Sequence, residues 1–387
     1  MSEFKLTTVE EFEEATARLL ETGAKVGADA WQFRVKNQTP HCKFGEQGVC
    51  CRICSMGPCR ITPKAPRGIC GCDAHGIVGR NFLRFTAGGA ATHSDHGREI
   101  CITLGHAKEG GDYQVKDPEK LIRIAKEWGV ETEGKDIYDL AHEMSDLAQE
   151  EYGKIRGVSR WLKRAPEHTQ ELWHEAGIEP RAIDREVSCA LHMTHMGNTS
   201  KPEALIRQAL RNGLSDGWGG SMCGTEFSDV LFGTPKPIDT EANLGVMVAE
   251  NVNIVVHGHD PSLSEMICEY ADSPEMIAYA KEMGAKGITV SGVCCTSNEV
   301  AMRRGIPMAG NFLQQENVVL TGACEAIVVD VQCIFPALGP LSKCFHTKFV
   351  TTSPICQMPD SDFVRFEADT AGENAKAIVK MAIDNFV

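Results

Sequence analysis

The chain has no run approaching the ~18 consecutive apolar residues that a bilayer-spanning helix needs. It has no surplus of basic residues either: 39 Lys and Arg stand against 53 Asp and Glu, a formal net charge of -14. The first absence argues against a membrane span. The second argues against a nucleic-acid or anionic-membrane surface, because either would require clustered cations to neutralise phosphates. The opening MSEFKLTTVEEFEEATARLL lacks a basic n-region, an apolar h-region and a small-residue cleavage site, so it reads as an amphipathic helix and the protein as cytoplasmic. Internal repeats, low-complexity tracts and a Gly-rich phosphate loop are also missing. What remains is the balance of a packed soluble protein, with 42% hydrophobic and 24% charged residues over 387 positions, long enough for two domains.

Cysteine is abundant. Seventeen are many for a cytoplasmic chain, where thiols are kept reduced and structural disulfides are rare, so metal ligation is the leading explanation. Cys42, Cys50, Cys51, Cys54, Cys59, Cys70 and Cys72 fall within 31 residues. A scattered cysteine is by default a small buried hydrophobe, and Cys72, Cys101, Cys189, Cys268, Cys324, Cys344 and Cys356 are read as structural.

The first ~235 residues read as mainly helical, with apolar spacings of three and four and recognisable ends. Thr8 and Glu11 form a capping-box pattern with Gly23 as a stop. Asp117 and Pro118 start a helix striped by Leu121, Ile124, Ala125 and Trp128. Another runs through Leu140, Ala141, Met144 and Leu147, and one beginning near Pro202 is expected to end before Gly213. After FGTPKP (232–237) the pattern changes to short β-branched runs, NIVVHGH (253–259), GITVSGV (287–293), AIVVDV (326–331) and KFVTTS (348–353). Helical stretches at 263–283 and 297–304 lie between them, and another closes the sequence at 371–386. Strands alternating with helices predict a parallel sheet, whose functional residues gather beyond the strands' carboxyl ends.

Four thiols spaced as Cys51, Cys54, Cys59 and Cys70 can converge on one site, which suits either zinc or a [4Fe–4S] cluster. Arg52 and Arg60 beside them would offset the thiolate charge. Cys42 and Cys50 lie just upstream; two copies about a two-fold axis could complete a four-thiolate site, and buried or spare cysteines explain them equally well. His259, Cys295 and Cys333 each follow a predicted strand, and imidazole with thiolate suits iron, nickel or zinc. His93 and His96, three apart beside the Gly-rich AGGAA stretch expected to allow close backbone packing, could relay protons or simply be solvated. His192 and His195 read as solvated.

The segments HCKFGEQGVCCRICSMGPCR, GICG, HSDHGR, LFGTP, NLGVM, HGHDPSLSE, GVCCTSNEV and VDVQCI, in this order, resemble the anaerobic nickel–iron carbon monoxide dehydrogenases. The resemblance implies an α+β multidomain chain: a helical amino-terminal iron–sulfur domain, 1–235, then a Rossmann-like α/β domain with a parallel sheet, 236–387, an architecture shared with hybrid-cluster proteins. It implies a homodimer in which Cys51, Cys54, Cys59 and Cys70 hold one [4Fe–4S] cluster per subunit. Cys42 and Cys50 supply half the ligands of a second cluster bridging the dimer. His259, Cys295 and Cys333 match ligands of a nickel–iron–sulfur cluster, and His93 matches an acid–base histidine beside it, with His96 as the next proton carrier. The implied reaction is CO and water to carbon dioxide, two protons and two electrons, and its reverse. Electrons would pass to a ferredoxin-like acceptor, and acetyl-CoA synthase is a further partner the resemblance suggests.

Two departures stand out. Some family members continue the histidine run where Glu99 and Ile102 stand here. The family also has a further Rossmann-like domain with the remaining cluster cysteines and a catalytic lysine, before which this sequence stops; that domain is expected either as a separate chain or not at all. Two alternatives follow: a truncated, non-catalytic iron–sulfur electron-transfer protein, or a hybrid-cluster-type hydroxylamine reductase. The adjacent Cys50 and Cys51 and the HGHDPSLSE segment speak against the second.

Overall fold

The computed structural model describes residues 9–196 and 198–387. Contacts divide it into two compact units, Pro40–Gly233, and residues through Thr39 together with Thr234–Val387. This differs from a single boundary at 235, because the helices Val9–Lys25 and Trp31–Asn37 belong to the carboxyl-terminal unit. Trp31 donates from its backbone N to Glu316 Oε2 at 2.6 Å and from its indole Nε1 to the Leu313 carbonyl at 2.8 Å. Arg34 pairs with the buried Glu316 carboxylate. The Thr8–Glu11 capping box lies outside the residues whose side chains are described. Gly23 does not stop the first helix; it sits against Leu320, where a Cβ would come within 2.7 Å, and Gly27 at φ +77° turns the chain instead.

In the helical unit a two-residue hairpin, β1 (Cys50–Cys51) against β2 (Cys59–Arg60), precedes the long helix Ala74–Gly105. Asp73 caps that helix by accepting from Gly76 N at 2.9 Å. The helices Ile137–Tyr152, Ile183–Thr194, Pro202–Leu214 and Met222–Phe232 pack around it. Asp117 accepts from Lys120 N at 3.0 Å ahead of Pro118, and Leu121, Ile124 and Ala125 are buried, so that predicted start stands.

The helix from Pro202 does not end before Gly213. It runs to Leu214 and passes through a π-helical segment, Ser215–Ser221, into Met222–Phe232. A helical glycine costs about 1 kcal/mol relative to alanine, but packing overrides it here. Gly220 lies so close to the long helix that a Cβ would meet His93 Cβ at 2.9 Å. A Cβ at Gly97 would likewise come within 2.8 Å of the Gly220 carbonyl. Gly88 and Gly89 of the AGGAA stretch, expected to carry such an approach, face open space.

The second unit holds six parallel strands: β3 (Val252–Gly258), β4 (Ile288–Val293), β5 (Met308–Gly310), β6 (Ala326–Val329), β7 (Lys348–Thr351) and β8 (Asp362–Phe363). Their spatial order is β5-β4-β3-β6-β7-β8. Four match the predicted runs; β5 and β8 are edge strands too short to show periodicity. β3 is buried along its whole length, as a central parallel strand is: Val252, Ile254, Val255 and Val256 are apolar, and the buried Asn253 and His257 are hydrogen-bonded. Val255, Ile327, Val329 and Phe349 form the core with Val318 and Leu338, and each such buried side chain contributes roughly 1.5–3 kcal/mol. The predicted helix 263–283 is two, Pro261–Ala271 and Pro274–Glu282, because Ser273 caps a new start by accepting from Met276 N at 3.3 Å. The closing helix is Ala371–Asp384. Among the described residues no helix is long and apolar enough to cross a membrane. The order reverses at β3, whose neighbours β4 and β6 continue to opposite sides. In such doubly wound sheets a crevice opens beyond the carboxyl ends at that reversal.

Candidate metal centres

The β1–β2 hairpin places Cys51 opposite Cys59. Cys54 lies in its turn and Cys70 in the loop before the long helix, and all four line one small cavity. Glycines open it: a Cβ at Gly68 would stand 3.4 Å from Cys59 Sγ, and one at Gly57 would stand 3.2 Å from the Cys51 carbonyl. Ile69 N donates to Cys59 Sγ at 3.4 Å. The Cys70 thiol is held below its ordinary pKa by the Cys72 backbone N–H and by Arg80, whose Nη1 lies 3.7 Å from Cys70 Sγ. This favours the thiolate that a metal needs.

Four thiols lining one cavity are a donor set that fits a thiolate-bound metal site, an iron–sulfur cluster or zinc. Arg52 and Arg60 are both exposed, and Arg60 stacks over the Phe44 ring at 5.3 Å. The buried cation at the thiols is Arg80, which the sequence pattern did not single out.

Cys42 is exposed ahead of the short helix Lys43–Glu46, and Cys50 is half-buried. Neither lines that cavity. Asn81 Nδ2 donates to the carbonyls of Gly48 and Cys50 at 2.9 and 3.1 Å, tying β1 to the long helix. On the same stretch of helix Phe82 and Phe85 are 48% and 81% exposed, an outward apolar face.

In the sheet unit His259 follows β3, Cys294 and Cys295 follow β4, and Cys333 follows β6, the three strands around the order reversal. The ligand atoms of His259, Cys294 and Cys333 lie within 4.8 Å of one another. Cys295 is the exposed neighbour, its side chain hydrogen-bonded to Cys294. The structure therefore gathers Cys294, rather than the predicted Cys295, with His259 and Cys333. Cys294, Gln332 and Cys333 all adopt positive φ, at 69°, 72° and 61°. Strain of this kind in non-glycine residues persists where the surrounding fold over-determines it, and it clusters at functional loops. The Cys294 thiol is pushed strongly up by its hydrogen bond with Cys295 and by burial, and burial pushes Cys333 up. A metal arriving there would displace protons.

Supporting residues fix these loops. Half-buried Asp330 accepts from His259 N at 2.6 Å and from Val331 N. Gln315 donates to the Cys333 carbonyl at 2.9 Å and contacts His257 Nε2 at 3.2 Å. Burial lowers the His257 pKa to about 4, so it stays neutral.

In the helical unit His93 Nδ1 lies 2.5 Å from Asp216 Oδ1, and Asp216 is delivered by the π-helical segment. A carboxylate on Nδ1 fixes the tautomer and orientation of the imidazole. Asp216, 123 residues away in sequence, carries no local signal that would have marked it. His96 is buried one turn along the same helix, while His192 and His195 are exposed.

The sequence pattern of the Prismane/CO dehydrogenase family matches residues 49–387. Carbon monoxide dehydrogenase 1 of Methanosarcina mazei is 48% identical over 377 residues, covering 96% of this chain and 60% of its own length. The carbon monoxide dehydrogenase/acetyl-CoA synthase subunit beta of Moorella thermoacetica is 41% identical, covering 90% of this chain and 52% of its own length. An as-isolated, nickel-free crystal structure of carbon monoxide dehydrogenase from Thermococcus sp. AM4 superimposes with a TM-score of 0.94 at 46% identity, covering 100% of this chain and 63% of that one. The chain thus spans about three-fifths of the length of the Methanosarcina relative.

Proposed function

The chain belongs to the Prismane/CO dehydrogenase family, and on that premise we propose that it forms the cluster-holding part of a carbon monoxide dehydrogenase, converting CO and water to carbon dioxide, two protons and two electrons, reversibly. The observation that carries this reading is the meeting of His259, Cys294 and Cys333 at the sheet's order reversal. With Cys295 beside them they would hold one side of a nickel–iron–sulfur group, which supplies Lewis-acid and redox chemistry when bound. His93, oriented by Asp216, would take and release protons at Nε2, with His96 next along the helix.

Cys51, Cys54, Cys59 and Cys70 would hold a [4Fe–4S] cluster that conducts electrons. Cys42 and Cys50 would join the same pair from a second copy of the chain, and the apolar face at Phe82 and Phe85 supports that pairing. A ferredoxin-like protein is the proposed acceptor, and the Moorella relative's name supports acetyl-CoA synthase as a possible assembly partner. A cytoplasmic, anaerobic setting follows from the same reading. Because protein donors at the sheet site are few, the remaining ligands would come from a further polypeptide segment. If none does, the chain is an electron-conducting iron–sulfur protein.

Anaerobic metal and sulfide analysis with a CO-dependent viologen assay, with and without co-expressed neighbouring genes, tests this. Iron, sulfide, nickel and turnover are expected when the remaining ligands are supplied. Iron and sulfide without nickel or turnover under every condition would leave the electron-conducting reading, and zinc alone would refute both.

A further inference from the structure

We propose that Arg80 is a positioning residue for the cluster held by Cys51, Cys54, Cys59 and Cys70, its guanidinium raising that cluster's reduction potential. This rests on the cluster reading above and adds to it the residue that sets the cluster's electronics.

Arg80 is 3% exposed. Its Nε donates to the Thr199 carbonyl at 2.9 Å while Nη1 reaches Cys70 Sγ at 3.7 Å, so the planar fork is tied at both edges and cannot swing into water. Its recorded partners among the described residues are that carbonyl and sulfur, with no carboxylate. A buried guanidinium without an anion is costly, by several kcal/mol in order of magnitude. The thiolates at the cavity supply the missing counter-charge.

Arg80, Ile77 and Cys51 are buried at the inner wall of the cavity while Cys70, Ile69 and Met196 are exposed at its mouth, so the guanidinium is screened less from the inner thiols than it would be in water. The two arginines nearest the thiols in sequence, Arg52 and Arg60, are exposed, where solvent and salt screen them. Reduction adds one electron and makes the thiolate-bound group more negative, with no bond made or broken. A fixed cation and an N–H donor at the sulfur stabilise that more negative form preferentially, and this raises the potential.

The test is an anaerobic redox titration of the full chain with dithionite, followed by electron paramagnetic resonance of the signal that Cys54→Ser abolishes, with iron and sulfide measured in parallel. Arg80→Gln is expected to keep the cluster while its reduction equilibrium constant falls about tenfold, equivalent to ~59 mV for a one-electron couple. Arg80→Lys, which keeps the charge, should lose much less. An unchanged potential in Arg80→Gln, or equal shifts in both variants, would overturn the proposal. If Arg80→Gln fails to load iron, Arg80→Lys decides: iron at the unsubstituted potential supports the charge, and loss of iron there as well makes Arg80 merely structural. Absence of iron and sulfide from the unsubstituted chain would instead refute the cluster reading itself.

Discussion

Gly258 ends β3 with φ +133°, and an alanine Cβ there would stand 2.0 Å from Asp330 Oδ1. Asp330 cannot simply swing aside, because it accepts from the backbone N–H groups of His259 and Val331. Two costs therefore add in Gly258→Ala. An L side chain in that backbone conformation costs about 1–2 kcal/mol. Moving the carboxylate strands at least one buried N–H, roughly 1–3 kcal/mol. The sum is about 2–5 kcal/mol. Asp330→Ala alone breaks the same hydrogen bonds, but it also removes the obstruction, so in its background Gly258→Ala should cost only the strain. The double variant should then be more stable than additivity predicts by about 2 kcal/mol. Urea unfolding of the metal-free chain under reductant, with hydrogen exchange at β3, reads this coupling. Additive costs, or a Gly258→Ala penalty under about 1 kcal/mol, would show that Asp330 does not lock the His259 turn.

Asp216→Asn should lower CO-dependent viologen reduction in the assembled enzyme roughly 10- to 100-fold, since a misoriented histidine forfeits part of its acid–base contribution; iron and sulfide should not change, and full activity would remove Asp216 from the site. Lys120→Met takes the cation from buried Asp229 and from Glu226 at 3.4 Å, and urea midpoints should show a loss of about 3–5 kcal/mol. Arg18→Ala, breaking the exposed pair with Glu14, should cost about 0.5 kcal/mol or less by the same measurement. Burial alone would raise the Glu186 carboxyl, but Arg181, bonding at 2.8 and 2.9 Å, and Gln208 hold it below the ordinary range. Its folded pKa is thus below its unfolded one, so its stabilisation is complete above about pH 4.3 and is lost as pH falls through the folded value. Glu186→Gln should flatten the acid limb of stability against pH in the metal-free chain, and an unaltered limb would count against the assignment.

Much of this was legible in one dimension because the signals are local. The four-thiol spacing from Cys51 to Cys70, the β-branched runs of β3, β4, β6 and β7, and the Asp117–Pro118 helix start each follow from chemistry within a few residues. The strand-end rule also placed His259 and Cys333 at one edge before any coordinates. Three things escaped it. The edge strands β5 and β8 have too few residues for a period, and Gly213 punctuated a helix that packing carried through. Which thiol after β4 turns toward His259 depends on the positive φ at Cys294, a torsion that sequence spacing does not report.

The sequence by itself determined the kind of chemistry and the order of the elements, since ligand type, thiol spacing and hydrophobic period are properties of short segments. Only the tertiary structure decided which distant groups meet: Asp216 with His93 across a π-helical segment, Asp330 behind the His259 turn, and Arg80 rather than Arg52 or Arg60 against the thiolates. The physical reason is that a charge acts through its burial and its distance, and both are set by the packing of residues far apart along the chain.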